Sequence, residues 1–207
     1  MTIGVFFGGV SPEHDISIIT GQLIIAGLKK LNYDVLPIYI SKKGSWLIDT
    51  RLGDIKLFQN PIEEADYPTF NLNLNLSQGK MVFEGRGLLS KRLTIDLAFP
   101  AFHGQNGEDG TFQGLFELCT IPYIGCGVTT SAITLDKVLT KQMYQQYNIP
   151  TTDFIYFTKH SWLENQATII KNIKATLNLP VIVKPARLGS SIGISKAENQ
   201  KDKCYYR

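Results

Sequence analysis

The stretch Ile3-Gly4-Val5-Phe6-Phe7-Gly8-Gly9-Val10-Ser11-Pro12-Glu13-His14-Asp15 decides the fold. An apolar run of strand length stops on two glycines that let the chain turn sharply, and Pro12 suits the first turn of a helix. Beyond it, Ile16, Ile19, Leu23, Ile24, Leu28 and Leu31 recur at helical spacing, and Val35 to Ile40 reads as a second strand. Strand, helix, strand in that order predicts a parallel sheet with helices on its faces, whose loops at the strand C-terminal ends gather ligands. Candidate sites are therefore expected after Phe7 and, where the pattern resumes as a buried strand from Leu93, after Phe99. Pro37 lacks a ladder donor, so the second strand is expected at an edge or with a shifted boundary.

Outward from this unit, residues 44–92 change character. Trp46-Leu47-Ile48 is short, and Asn71-Leu72-Asn73-Leu74-Asn75-Leu76 alternates strictly before Ser77-Gln78-Gly79-Lys80. The segment reads as an antiparallel hairpin insertion, with the Asn-Leu run a half-buried strand. Pro100 to Gly110 is a polar, glycine-rich loop, Thr111 to Thr120 a helix, and Ile121 to Ile124 a short strand. Near Gly125-Cys126-Gly127 the pattern ends, giving a first domain over 1–127 and a second over 128–207. The second is expected to hold a helix from about Thr130 to Tyr147 and strands around Phe154 to Phe157 and Val181 to Lys184. Between those strands, Leu163, Ile169, Ile170, Ile173 and Leu177 mark an amphipathic helix.

Composition narrows the function classes. The 207 residues are 43% hydrophobic and 19% charged with a net charge of +3, an ordinary globular composition that implies neither nucleic acid nor an acidic membrane. Cys119, Cys126 and Cys204 lack C-x-x-C or Cys/His ligand spacing and read as buried or idle thiols in a reducing compartment. Met1-Thr2-Ile3-Gly4-Val5 has no basic n-region, and no apolar run approaches the ~20 residues that span a bilayer, so a cytoplasmic location is expected.

Three segments carry chemistry-bearing side chains. In Gly8 to Asp15, Ser11 is a candidate N-cap; Glu13 and Asp15 suit a helix N-terminus electrostatically, and Glu13 is also a candidate anion for a substrate ammonium. The spacing lacks G-x-G-x-x-G, so it is no dinucleotide fingerprint. The loop from Phe102 through His103-Gly104-Gln105-Asn106-Gly107-Glu108-Asp109-Gly110 to Gly114 is denser in polar groups than a connection requires. It is either a site or a capped helix start with Asp109 or Thr111 accepting orphan amides and His103 merely packed. Lys137 and Lys141, four apart beside Asp136, fit a solvated helix face. Lys184 ends the apolar run Val181-Ile182-Val183, a place where an ammonium calls for a counterion such as phosphate. Gly189-Ser190-Ser191-Ile192-Gly193 then offers amides and hydroxyls to phosphate oxygens, or is a plain hairpin turn; no Gly-Lys-Ser/Thr follows, so it is not a Walker A loop.

Taken in order, Gly8-Gly9-Val10-Ser11-Pro12-Glu13-His14-Asp15-Ile16-Ser17, His103 through Gly114, Ile121-Pro122-Tyr123-Ile124-Gly125, Leu135-Asp136-Lys137 with Lys141, and Val183-Lys184-Pro185 through Gly193 closely resemble the D-alanine:D-alanine ligases. The resemblance covers nearly the whole chain, is weakest over 44–92 and fades after Lys196. It implies an α/β fold: a parallel-sheet, Rossmann-like pre-ATP-grasp domain, then part of an α+β ATP-grasp domain. In that family ATP phosphorylates the carboxylate of one D-alanine, and the amine of a second attacks the acyl phosphate to give D-alanyl-D-alanine for peptidoglycan. By resemblance, Glu13 holds the ammonium of the first D-alanine with His103 beside that substrate. Lys141 and Lys184 bind ATP phosphates, the 187–193 loop with Gly189, Ser190, Ser191 and Gly193 closes over the β and γ groups, and Ser190 organises the active-site hydrogen bonds.

The resemblance also implies segments that Met1 to Arg207 do not contain: adenine contacts, lid residues, a catalytic arginine and the ligands for Mg2+ or Mn2+. No metal ligand is assigned here, and the 207 residues alone are expected to bind ATP weakly and not to turn over. A sheet cut after its hairpin leaves strand edges and apolar faces uncovered, which favours homodimerisation or aggregation. Two other readings stand beside this one: a related ligase with D-lactate or D-serine as acceptor, and a non-catalytic remnant that binds D-alanine or a dipeptide.

Overall fold

The computed structural model describes residues 1–85 and 91–198. It divides into two compact units, Met1–Ala132 and a second from Ile133 onward. The division falls inside a helix, Val128–Leu135, five residues beyond the boundary placed by composition.

In the first unit, β1 (Thr2–Gly8) and α1 (His14–Lys30) lead to β2 (Asp34–Ile40), which pairs parallel with β1 from Thr2↔Asp34 to Gly8↔Ile40. β3 (Trp46–Ile48) adds to β2 antiparallel, and β7 (Leu97–Pro100) lies parallel on the other side of β1, for an order β3-β2-β1-β7. Pro37 pairs with Val5 in register, but the pairing of β2 with β3 begins only at Ile38. The proline thus sits where the ladder on that side has ended, and a missing N–H costs nothing there.

Both faces of this sheet are covered, which is why β1 reads as a continuous apolar run rather than an alternation. Phe6 joins Ile38, Ile48, Met81, Phe83, Ile95 and Phe116 on one face; Val5 and Phe7 join Ile18, Ile25, Val35, Tyr39 and Leu52 on the other. α1 buries only part of the stripe its apolar period marks, Ile24 and Leu28 packing half-buried on the core. His14, Ser17, Ile18, Gly21, Gln22 and Ile25 face the sheet, whereas Ile16, Ile19 and Leu23 are exposed, Leu23 by 74%.

The expected insertion is an antiparallel sheet of β4 (Phe70–Leu72), β5 (Met81–Gly85) and β6 (Arg92–Ile95), preceded by 3-10 turns at Thr50–Gly53, Ile55–Gln59 and Glu64–Asp66. The Asn-Leu alternation stays in the ladder only to Leu72. At Asn73 the side-chain Oδ1 accepts from the Leu76 amide at 3.2 Å and the Asn73 carbonyl accepts from Ser77 Oγ at 2.7 Å, so a local turn outcompetes the strand. The single strand read from Leu93 to Phe99 serves two sheets: the chain leaves β6, bonds Thr2 through Asp96, and enters β7. Ile121 to Ile124 contributes only a bridge between Ala98 and Tyr123. α2 (Thr111–Leu118) follows the polar loop. Cys119 and Cys126 are free thiols, and burial pushes that of Cys119 up; Cys204 lies outside the described residues.

The helix expected over 130–147 is two helices, α3 (Val128–Leu135) and α4 (Lys137–Gln146). The break is Asp136, whose extended backbone and carboxylate, accepting from the Val138 and Leu139 amides, make it the α4 N-cap. Phe154 to Phe157 forms no strand among the described residues. α5 (Lys159–Thr176) is capped by Thr158 and kinks at Asn165, and none of its residues is buried. β8 (Val181–Val183) and β9 (Ser195–Ala197) form an antiparallel pair flanking the Gly/Ser loop. No helix among the described residues is long and apolar enough to cross a membrane.

Candidate functional site

Because β1 and β7 are parallel neighbours, the loops leaving their C-terminal ends lie side by side. Ser17 on α1 fastens them: its buried hydroxyl accepts from the Gly8 amide and donates to the Ala101 carbonyl, both at 2.8 Å. Ser11 adds a second tie, its Oγ accepting from the Glu13 amide at 3.1 Å and donating to the His103 carbonyl at 2.9 Å. Ser11, the candidate N-cap, is therefore a loop-to-loop strut instead: α1 begins two residues later and its N-cap position falls to Glu13.

Glu13 and His103, singled out separately, are brought together by this geometry. Glu13 is 6% exposed, and its carboxylate lies against Gly104, where a Cβ would overlap Oε2. Gly104 also has φ +75°, so two independent demands select glycine there. The His103 ring is held at Nε2 by Thr20 Oγ1 at 2.8 Å, with Glu108 Oε1 at 3.9 Å from Nδ1. The Gly104 amide donates to Glu108 Oε2 at 2.6 Å. Asp109 accepts from the amides of Asn106 at 2.9 Å and Thr111 at 3.0 Å. Burial pushes against ionisation of Asp109, but the Thr111 hydroxyl and these amides outweigh it and hold the carboxyl below its usual range. The loop thus contains both things its sequence allowed, a capped helix start at Asp109 and a polar concentration around Glu13 and His103.

Sequence reasoning missed Ser17, Thr20 and Glu108. The signal was present for two of them, since Glu13, Ser17 and Thr20 repeat at i, i+4 and i+7 and form a polar stripe on an otherwise apolar helix. His14 is a second buried histidine, and it serves the turn rather than the polar loop. Its Nδ1 is 2.7 Å from the Gly9 carbonyl and its Nε2 3.1 Å from Tyr39 Oη, which braces the glycine turn from below. Burial, then Glu64 and Asp15, push the Tyr39 hydroxyl up to about 12.

In the second unit the candidates gather around α4 and the β8–β9 hairpin. Lys184 is exposed one residue past β8 and forms no ion pair among the described residues. Lys141 Nζ donates to the Thr152 carbonyl and hydroxyl, each at 2.7 Å, and lies 5.0 Å over the Phe154 ring. Two of its three donors are thereby used and one is left for an outside oxygen. In the Gly189–Gly193 loop, Ser190 and Ser191 stand at φ 47° and 62°, and Gly193 at 73°. Consecutive left-handed serines are costly unless their surroundings over-determine them. With the Ile192 amide donating to the Gly189 carbonyl at 3.0 Å, they have the φ pattern of a type I′ hairpin turn, one of the two readings the loop's sequence allowed. A Cβ at Gly193 would come within 2.8 Å of Pro185 Cγ, which makes that glycine obligatory for closing the loop.

A metal ion is a different matter. Among the described residues no three His, Cys, Asp or Glu side chains are grouped to hold one.

The family model described as D-ala D-ala ligase N-terminus matches residues 2–126, and that described as D-ala D-ala ligase C-terminus matches residues 143–204. The chain belongs to the D-alanine–D-alanine ligase family. Curated ligases of that family from Thermosipho melanesiensis and Thermosipho africanus are 42% and 40% identical over 203 and 204 residues. These alignments cover 98% and 99% of this chain but 54% and 53% of the relatives, so the chain spans about half the length of the D-alanine–D-alanine ligases it matches. Among solved structures, the D-alanine–D-alanine ligase of Helicobacter pylori superposes with a TM-score of 0.79 at 27% identity, over 97% of this chain and 57% of that one. The VanG D-Ala:D-Ser ligase of Enterococcus faecalis gives 0.77 at 29%, over 97% and 56%.

Proposed function

We propose that these residues serve the ATP-dependent joining of two D-alanine molecules into D-alanyl-D-alanine, a peptidoglycan precursor, in the cytoplasm. The observation that carries the reading is the buried Glu13 carboxylate packed on Gly104 beside His103, at the C-terminal ends of adjacent parallel strands. A carboxylate in that position selects an ammonium group, and the polar loop around it can receive the rest of a small amino acid.

The chemistry follows in two balanced steps. A carboxylate oxygen of the first D-alanine attacks the γ-phosphorus of ATP, the bond to the β-γ bridging oxygen breaks, and an acyl phosphate and ADP result. The amine of the second D-alanine then attacks the acyl carbon, the carbon–oxygen bond to phosphate breaks, and the amine proton is lost. Glu13 holds the first ammonium and His103 lies beside that substrate. Lys141 and Lys184 neutralise phosphate charge, and the amides of Gly189, Ser190, Ser191 and Gly193 cradle the transferring group, with Ser190 ordering the hydrogen bonds about it. Mg2+ or Mn2+ would supply further charge neutralisation.

The test is a titration of the chain with D-alanine, with L-alanine as control. D-Alanine is expected to bind, and Glu13→Gln to weaken it about tenfold or more, since a buried charge-assisted hydrogen bond is lost. Equal binding of L-alanine, or indifference to Glu13→Gln, would sink the reading. Phosphate release from ATP with D-alanine, D-serine or D-lactate as acceptor then separates the ligase from its acceptor variants, and binding without release marks a non-catalytic form.

A further inference from the structure

We propose that Asp136 is a positioning residue of the Gly189–Gly193 loop, acting through Arg187. The inference rests on the reading of that loop as the phosphate-binding element. Asp136 was expected on a solvated face, yet it is 7% exposed and both its oxygens are engaged. Oδ1 accepts from the Val138 amide at 3.0 Å and the Leu139 amide at 3.2 Å, which completes the α4 cap. Oδ2 takes no part in the cap and accepts from Arg187 Nε at 2.8 Å. A serine or asparagine would cap α4 equally well; only the second oxygen and the charge need an aspartate.

The neighbouring residue repeats the connection. Lys137 donates its backbone amide to the Ala186 carbonyl at 2.9 Å and its Nζ to the Leu188 carbonyl at 2.5 Å. Three successive residues, Ala186, Arg187 and Leu188, are therefore tied to two successive residues at the start of α4. The chain then enters the Gly/Ser loop, whose own backbone bonds are the turn contacts Ile192 N to Gly189 O at 3.0 Å and Ile194 N to Ser191 O at 3.3 Å. Two serines at positive φ persist only if something outside the loop fixes its ends. Pro185 under Gly193 braces it from within the hairpin, and the Asp136–Arg187 pair holds its entry. Burial works against the Asp136 charge, but Arg187 and the two amides hold the carboxyl below its usual range, so the tie persists near neutrality.

The experiment is amide hydrogen exchange on the nucleotide-free chain, read at residues 189–194 and within α4, for Asp136→Asn and Arg187→Gln. The arginine side chain is 74% exposed, so its replacement leaves packing intact, and Asp136→Asn keeps a cap. Both variants are expected to exchange about fivefold faster in the loop, the scale of a partly exposed ion pair, with α4 unchanged in Arg187→Gln. Unchanged loop exchange in both variants, or faster exchange confined to α4, would overturn the proposal and reduce Asp136 to a cap. A parallel ATP titration separates the two readings. If the unsubstituted chain binds ATP, both variants weaken that binding while leaving D-alanine affinity alone. If it binds none, the phosphate reading of the loop fails, and the exchange result still decides whether Asp136 positions it.

Discussion

At the scale of single residues, the first unit is held by polar groups buried with specific partners. Ser17 is the clearest: its one hydroxyl closes the gap between Gly8 and Ala101, so removing it orphans a buried donor and a buried acceptor. Ser17→Ala is expected to cost about 1–3 kcal/mol in urea unfolding of the first unit, and a loss under half of that would show the two strand ends to be held by packing alone. Tyr39 gives a pH signature. Its hydroxyl is pushed up to about 12 in the folded chain by burial first and then by Glu64 and Asp15, against an ordinary value of 10.0. A raised value means the folded state keeps a proton that the unfolded chain gives up. The contribution is therefore complete below pH 10 and declines as pH rises from about 10 to about 12. Stability measured against pH should fall in that window, and Tyr39→Phe should remove that part of the fall.

At the scale of elements, α1 shows where periodicity misleads. The apolar spacing marks a helix correctly, and Ile24 and Leu28 of it pack on the core, but Ile16, Ile19 and Leu23 lie on the outer face. The sheet instead receives Ser17 and Gly21, which are small, and Gln22, whose Nε2 donates to the Leu52 carbonyl at 2.8 Å. Close approach to β1 selected small side chains at the contact, and specific partners made polar ones tolerable. Ile25→Ala is accordingly expected to cost about 2–5 kcal/mol, and Leu23→Ala to stay within about 0.5 kcal/mol, by chemical denaturation. Equal costs would mean the outer stripe is covered in solution. The 130–147 segment is the converse case. Its apolar and polar residues permit one long helix, but Asp136 in extended geometry caps a second one and turns its spare oxygen to Arg187.

At the scale of the whole molecule, the two units differ in what secures them. The first buries both faces of a parallel sheet with large side chains such as Phe6, Phe7, Phe83 and Phe116. From Ile133 onward, Ala197 is the one buried apolar residue among those described, and α5 buries none. Hydrogen exchange should therefore be slowest in β1, β2 and β7 and much faster in α5 and the β8–β9 hairpin, with a separate early step on heating. Uniform protection along the chain would refute that hierarchy.

What could be read without coordinates was local. The apolar run into Gly8-Gly9, the strand–helix–strand order, the glycine-rich loop at 103–110 and the Gly/Ser loop at 189–193 each follow from short-range rules of period, turn and backbone freedom. The order of the five segments that resemble the D-alanine:D-alanine ligases was enough to point to the family. The tertiary structure decided the pairings. It set Glu13 against Gly104, Thr20 on His103, Ser17 between two strand ends and Asp136 on Arg187, partners separated by up to 91 positions in the chain. A side chain's own identity states which bonds it can make. Which bond it does make depends on what the fold carries to within about 3 Å of it, and no local pattern contains that distance.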